Sequence, residues 1–442
     1  MKRDRLAYLS TWKESPARKP LIIRGARQTG KTWLMKEFGK TYQKIAYVNF
    51  ESNPSLKTLF AVNFDLRRIL LAIQIETSVV VEPGNTLLIL DEIQEAPGAL
   101  TSLKYFQENA PDYHVISAGS LLGVALSGHT SFPVGKVEFL DLYPLSFTEF
   151  LEALNEKPLV DLLTTRDWKM ITNFKARYIE RLRQYYYIGG MPEAVSVFTQ
   201  RTDFDEVRRI QKQILIAYEQ DFSKHAPFEI VPRIRMLWNS IPAQLAKENR
   251  KFIYGLIRHG ARAKEYELAI TWLIDCGLIH KITNVTKPAI PLKAYEDFGA
   301  FKLFLVDIGL LAAMTDFDAK TLLDGNDLFE EFKGALTEQY VLQQLIVSQE
   351  IGIYYWSPEN AKAEIDFLLQ IKEKIVPLEV KAAENLHAKS LRVYSEKYQP
   401  ESAFRTSLSD YRKEDWMTNL PLLYPAVNPS MSRSWLCSTA SR

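Results

Sequence analysis

Eight consecutive residues near the amino end, Gly25-Ala26-Arg27-Gln28-Thr29-Gly30-Lys31-Thr32, meet the pattern G-x-x-x-x-G-K-[ST] at every fixed position. The spacing suits the holding of a polyphosphate. Glycines let the backbone close around the anion, and successive N–H groups and the positive end of the next helix meet its charge. Lys31 is placed to reach the β- and γ-phosphates, and Thr32, the first helical hydroxyl, to ligate Mg2+. A second stretch, Leu87-Leu88-Ile89-Leu90-Asp91-Glu92, supplies what such a loop needs beside it. Four apolar residues between turn formers read as a strand buried on both faces, with two carboxylates at the end where α/β sheets bind ligands. Asp91 would hold Mg2+ through water, and Glu92 would polarise the water that attacks the γ-phosphorus.

Another carboxylate arrangement lies in the last third of the chain. Glu364 to Gln370 and Ile375 to Lys381 read as two strands around a Lys372-Glu373-Lys374 turn. With Gln370 opposite Ile375, Asp366 falls directly across from Glu379, and Lys381 shares that face. The reverse face carries Ile365, Phe367, Leu369, Val376, Leu378 and Val380. An amphipathic hairpin facing water would also fit. Two carboxylates directly opposed on neighbouring strands repel, however, and a hard divalent cation is the usual reason to keep them. The order D-x12-E-x-K matches the core of restriction-endonuclease-like nucleases. There Asp366 and Glu379 would bind Mg2+, and Lys381 would position or activate the water that attacks a phosphodiester. Glu338, on the apolar-striped helix Phe332 to Ile346, stands where that fold often adds a third carboxylate.

The elements that must position these groups alternate. An opening helix over Arg5 to Lys13 precedes the first strand, Leu21 to Ile23, and a helix from Trp33 stops near Gly39. Strands follow at Ile45 to Phe50, Leu87 to Asp91, His114 to Ser120 and Glu138 to Leu140, with helices at Leu66 to Ile75 and Leu103 to Glu108. Short apolar runs alternating with helical stretches predict a parallel sheet with helices on both faces. Ser120 could bond the γ-phosphate or the attacking water, or cap a helix over Leu121 to Leu126. Ser146, with Glu149 three residues later, is a capping box. From there to about Pro227 the pattern is helical, broken at Gly189-Gly190-Met191-Pro192, and suits a lid over a nucleotide. Arg181 and Arg183 in it could act on a neighbouring subunit's phosphate or simply coat a helix, so no arginine finger is assigned. Helices over Ile234 to Ala246, Phe252 to His259 and Ala263 to Cys276, followed by strands Leu278 to Ile282 and Lys302 to Val306, read as a winged helix. Such modules dock DNA or merely bridge domains, and Glu265 and Glu267 would repel phosphate. Ser390 to Tyr398 reads as a helix and Ala403 to Arg405 as a strand. The expected fold class is α/β: a P-loop sheet over residues 1–145, a helical lid over 146–230, a winged helix over 231–320, a restriction-endonuclease-like α/β domain over 321–426 and a loose tail from 427.

A chain of 442 residues exceeds what one core usually organises. Apolar residues at 47% and charged residues at 24% are those of a globular protein, and no apolar run is long enough to span a bilayer. The polar start carries no secretory signal, so a cytosolic protein without membrane partners is expected. Cys276 and Cys437 are the only cysteines, which leaves neither a disulfide framework nor a cysteine-built zinc site. Net charge is +2, yet Arg166 to Lys264 holds 19 Lys and Arg against 10 Asp and Glu. That excess suits nucleic acid or solvated helix faces.

With these motifs in order, the chain resembles the bacterial and archaeal family of AAA-type ATPases that carry a C-terminal domain of unknown function with a restriction-endonuclease-like core. The resemblance spans nearly the full length. It rests on Gly25 to Thr32, Leu90-Asp91-Glu92, Ala118-Gly119-Ser120, Leu145-Ser146-Phe147, Gly189 to Pro192, Glu364 to Phe367 and Leu378 to Lys381. It implies ATP and Mg2+ binding with hydrolysis, a sensor role for Ser120, a helical lid, a winged helix and a nuclease-like module whose substrate the family does not fix. The expectation adopted is a homo-oligomer whose nuclease-like domain acts on nucleic acid, DNA before RNA. A nucleotide-gated switch whose last domain binds a protein partner is the alternative. A peptide-remodelling machine fits less well, for want of an aromatic-glycine pore loop.

Overall fold

A computed structural model describes residues 1–62, 64–119, 133–247, 251–320, 330–348, 351–358, 363–384 and 388–424. The chain forms two compact units, one of Lys2–Pro144 with Trp272–Leu278, the other of Leu145–Thr271 with Ile279–Arg442.

In the first unit, α1 (Arg5–Glu14) leads to β1 (Leu21–Arg24), α2 (Lys31–Gly39), β2 (Lys44–Asn49), α3 (Pro54–Val62), α4 (Leu66–Thr77), β3 (Thr86–Asp91), α5 (Pro97–Asn109), β4 (His114–Ala118) and β5 (Glu138–Asp141). The strands make one parallel sheet in the order β2-β3-β4-β1-β5. Every residue of β3 and β4 is buried, as continuous apolar runs require when helices cover both faces. Helix α5 begins six residues before the expected Leu103, because Pro97 at its first turn is preset for helix and gives up only an N–H that would have no partner there. Ser120 and the expected helix over Leu121 to Leu126 lie outside the described residues.

The second unit opens with six helices: α6 (Phe147–Ala153), α7 (Lys157–Thr165), α8 (Trp168–Asn173), α9 (Lys175–Ile188), α10 (Pro192–Arg201) and α11 (Phe204–His225). The Ser146–Glu149 capping box forms in both directions at the start of α6. The Gly189-Gly190 break ends α9 for a packing reason. A Cβ at Gly190 would stand 2.2 Å from the Leu145 carbonyl oxygen, and one at Gly189 2.1 Å from Asp307 Oδ1. Buried Asp307 accepts from Gly190 N at 2.6 Å, and the Gly190 carbonyl accepts from Leu145 N at 2.7 Å.

Then come α12 (Val231–Leu245), α13 (Ala263–Asp275), β6 (Ile279–Val285), β7 (Glu296–Leu305), α14 (Ile308–Met314), α15 (Glu330–Leu345), β8 (Gly352–Trp356), β9 (Ile365–Ile371), β10 (Lys374–Val380), α16 (Lys389–Tyr398), β11 (Phe404–Ser407), β12 (Arg412–Lys413) and β13 (Thr418–Pro421). The helix expected over Phe252 to His259 is only a single 3-10 turn, Tyr254–Leu256. Phe252 N bonds the Phe301 carbonyl of β7 at 2.8 Å, Ile253 N bonds Gln244, and Gly255 disfavours helix.

The β6-β7 hairpin does not stand apart as a wing. It ends an eight-stranded sheet, β12-β13-β11-β10-β9-β8-β6-β7, which also contains every strand of the last third. β9 and β10 pair antiparallel with Gln370 opposite Ile375 and Phe367 opposite Leu378, the register expected from the sequence. Among the described residues no helix is long and apolar enough to cross a membrane.

Candidate functional site

The first constellation is built at the carboxyl ends of β1 and β3. β1 runs into the loop, whose backbone takes positive φ at Gly25 (142°), Gln28 (65°) and Gly30 (91°). Gly25 also has no room for a side chain, since its Cβ would meet the Leu142 carbonyl oxygen at 2.2 Å. Thr29 Oγ1 bonds the Ala26 carbonyl at 3.0 Å, and Arg3 Nη1 bonds the Thr29 carbonyl at 2.9 Å, so a residue ahead of α1 steadies the loop from outside. No sequence motif marks that arginine. α2 starts at Lys31 and points its N–H end at the cradle.

Lys31 is buried and donates to the Gly25 and Ala26 carbonyls at 2.9 and 2.8 Å. Burial pushes its ammonium down to about 8, against the pull of Glu92 and Asp91. Thr32 Oγ1 donates to Asp91 Oδ2 at 2.8 Å, and Tyr47 donates to the same oxygen at 2.9 Å from β2. Asp91 thus stands beside Thr32, as an oxygen donor set for Mg2+ requires. Glu92 follows in left-handed backbone (φ 50°), and Gln94 Nε2 donates to its Oε2 at 2.6 Å. The residues fit a nucleoside triphosphate with Mg2+: glycines where a Cβ would clash, a lysine inside the loop, and hydroxyl and carboxylate side by side. Trp272–Leu278 belongs to this unit as well, and a Cβ at Gly277 would lie 3.2 Å from Ala26 N of the loop.

The second constellation gathers on the other unit's sheet. One step beyond the Phe367–Leu378 pair, Asp366 comes opposite Glu379, and Asp366 Oδ2 accepts from Val380 N at 2.7 Å. Lys381 Nζ pairs with Glu379 Oε1 at 2.9 Å, whereas Glu379 Oε2 is buried with no hydrogen-bond partner among the described residues. Glu338 of α15 is buried and hydrogen-bonds Asp366. Burial, and then the charge of Glu338, hold the Asp366 carboxyl well above the usual carboxylate range. Burial also raises Glu379, against the pull of Lys381.

Two members of this cluster are absent from the motif. Lys302 of β7 is fully buried, donates to Glu364 Oε1, and stands 3.6 Å from Glu338 Oε2. Burial opposes its charge, but Glu338, Glu364 and Asp366 hold the ammonium protonated. The available signal was one lysine inside the apolar run Phe301-Lys302-Leu303-Phe304-Leu305. Among the described residues no three of the His, Cys, Asp and Glu side chains are grouped to hold a metal ion. The opposed pair Asp366 and Glu379, with the second oxygen of Glu379 left over, fits Mg2+, which commonly takes one or two carboxylates and completes its shell with water.

In the helical stretch Arg181 is engaged locally: with Arg177 it pairs to Glu156, at 2.9 and 2.6 Å. This leaves the arginine finger unassigned.

A glycine loop after β1, Thr32 against Asp91, and a parallel sheet with β1 between β4 and β5 define a P-loop nucleotide-binding domain. Residues 17–151 match the family model described as an AAA domain. Residues 179–321 and 333–424 match two models described as domains of unknown function, DUF8612 and DUF4143. No curated protein matches the chain. Similar solved structures include the Walker-type ATPase PaBy2304 of Pyrococcus abyssi, at 14% identity over 71% of this chain and 95% of that one, with a TM-score of 0.46. They also include the Aeropyrum pernix Orc1 protein in complex with DNA, at 14% identity over 72% and 93%, TM-score 0.27. AMPPCP-bound DnaA from Aquifex aeolicus is similar at 13% identity over 61% and 87%, TM-score 0.27.

Proposed function

We propose that the chain is a Mg2+-dependent ATPase whose nucleotide state governs a nuclease-like site in the eight-stranded sheet, acting on nucleic acid, DNA by first expectation. The observation that carries the ATPase half is Thr32 bonded to Asp91 at 2.8 Å beneath a glycine loop. Lys31 would leave its two loop carbonyls to meet the β- and γ-phosphates, while Thr32 and Asp91 would hold Mg2+, which would supply charge to offset that of the phosphates. Glu92 takes the position that orients the attacking water, with Gln94 fixing its carboxylate. Ser120 keeps the proposed sensor role.

For the nuclease half, support comes from Asp366 across from Glu379 with Lys381 on the same face, on the central strands of the eight-stranded sheet. Asp366 and Glu379 would hold Mg2+ with Glu338 behind them, Mg2+ would polarise a phosphodiester, and Lys381 would place the attacking water. Coupling is supported by chain order. Gly277 touches the phosphate loop, and two residues later Ile279 begins β6 of the eight-stranded sheet. The basic excess from Arg166 to Lys264 suits a polyanion.

Three variants test this. Lys31→Ala abolishes nucleotide binding, and Glu92→Gln binds ATP but turns it over about a hundredfold more slowly. Plasmid and single-stranded substrates with Mg2+ or Mn2+ are cut by the native chain and not by Asp366→Ala. Absence of cutting under every nucleotide condition rejects the nuclease and leaves a nucleotide-gated switch for a protein partner. Unchanged turnover in Glu92→Gln rejects the assigned base.

A further inference from the structure

We propose that Lys302 is a built-in cation of the carboxylate cluster, occupying the place of a second divalent ion, so that the cluster takes one divalent cation, between Asp366 and Glu379. The proposal rests on reading that cluster as a cation site.

Placement comes first. An ammonium buried without exposure inside an apolar strand is costly unless opposite charge surrounds it. Lys302 has that surround: Glu364 accepts its hydrogen bond, Glu338 Oε2 lies 3.6 Å away, and Asp366 acts on it. It arrives from β7, three places from β9 and four from β10 in the sheet order, and bonds Glu364 immediately ahead of β9.

The carboxylates also sort into two groups. Glu338 and Glu364 are held by Lys302, and Glu379 Oε1 by Lys381. Asp366 reaches Glu338 on one side and faces Glu379 across the hairpin on the other. Glu338 Oε2 has Lys302 3.6 Å away, whereas Glu379 Oε2 is buried with no hydrogen-bond partner among the described residues, Lys381 engaging the other oxygen of that carboxylate.

Charge agrees. Glu338, Glu364, Asp366 and Glu379 carry minus four when ionised, and Lys302 and Lys381 return plus two, which leaves minus two. One divalent cation neutralises that remainder and a second would overshoot it. Buried Arg405, on the next strand, also acts on Glu379 and is shared with Glu414, so its charge leaves still less room for a second divalent ion.

The test is calorimetric titration of the nucleotide-free full chain with Mn2+, with Asp366→Ala as the control and Lys302→Met as the probe. The native chain is expected to bind one Mn2+ that Asp366→Ala loses, and Lys302→Met to bind two. Melting with and without Mn2+ gives a second readout. The Mn2+-induced rise is expected to be at least twofold larger in Lys302→Met than in the native chain, because the ion then replaces the missing ammonium. Two ions on the native chain, or one ion of unchanged affinity on Lys302→Met, overturns the assignment of Lys302 and leaves the cation site standing. A Lys302→Met chain that stays unfolded with Mn2+ present also overturns it. No Mn2+ on the native chain overturns the cation site itself, and this proposal with it.

Discussion

Lys31 shows how burial makes a binding residue sensitive to pH. Desolvation brings its ammonium down to about 8, and a bound triphosphate favours the charged form and lifts it again. Binding therefore takes up a proton wherever the free loop is neutral. Affinity for an ATP analogue is expected to be level from neutral pH to about 7.5 and to fall roughly tenfold between pH 8 and 9, as equilibrium titration would measure. A profile flat through pH 9 would mean that the lysine stays charged in the free loop. At the other cluster, burial and the charge of Glu338 raise the Asp366 carboxyl, so ionising it there costs stability. Asp366→Asn removes the repulsion and keeps the shape. Its melting temperature in a chelating buffer is expected to rise by an amount corresponding to about 1–3 kcal/mol. A lower melting temperature would mean that the carboxylate is a structural acceptor for Val380 N. The motif residues could be read from sequence because each acts through its own local backbone. Lys302, Glu364 and Arg3 could not, because what matters about each is a partner far along the chain.

Hairpin β9-β10 and strand β3 were legible for a different reason. Alternation and a tight turn fix register, and an apolar run ended by carboxylates fixes a buried strand with its working end. The 252–259 segment misled, since its helical spacing was overridden by the Phe252 bond to Phe301, a tertiary contact that no local pattern announces. Gly277 is informative at this scale too. It lies just past the end of α13 with φ 71°, and its missing side chain faces Ala26 N. Gly277→Val adds strain and bulk against the loop, and is expected to weaken nucleotide binding about tenfold, that is by roughly 1.4 kcal/mol. An unchanged dissociation constant would remove this turn from any role in the nucleotide site.

For the molecule as a whole, composition and alternation were enough to indicate a parallel nucleotide-binding sheet followed by helices. What they could not indicate was that the next hairpin and the last third share a sheet, because β6 meets β8 through the single pair Asn284–Tyr355, some seventy residues apart. The sheet therefore crosses residue 320, where sequence reasoning placed a boundary. Chains 1–320 and 321–442 made separately are each expected to aggregate or stay unfolded, since each exposes an unpaired strand edge. Made together they should recover a soluble, co-purifying pair. Independent cooperative melting of 321–442 would show that the sheet is two sheets that merely adjoin.

A chelator strips a divalent ion from a protein in seconds, but it cannot remove a lysine woven into a strand. Because Lys302 is anchored in β7, the acids around it keep a permanent companion when magnesium is scarce. If the cluster holds the proposed divalent ion, its removal should leave Glu338 and Glu364 paired and the architecture ready for reloading.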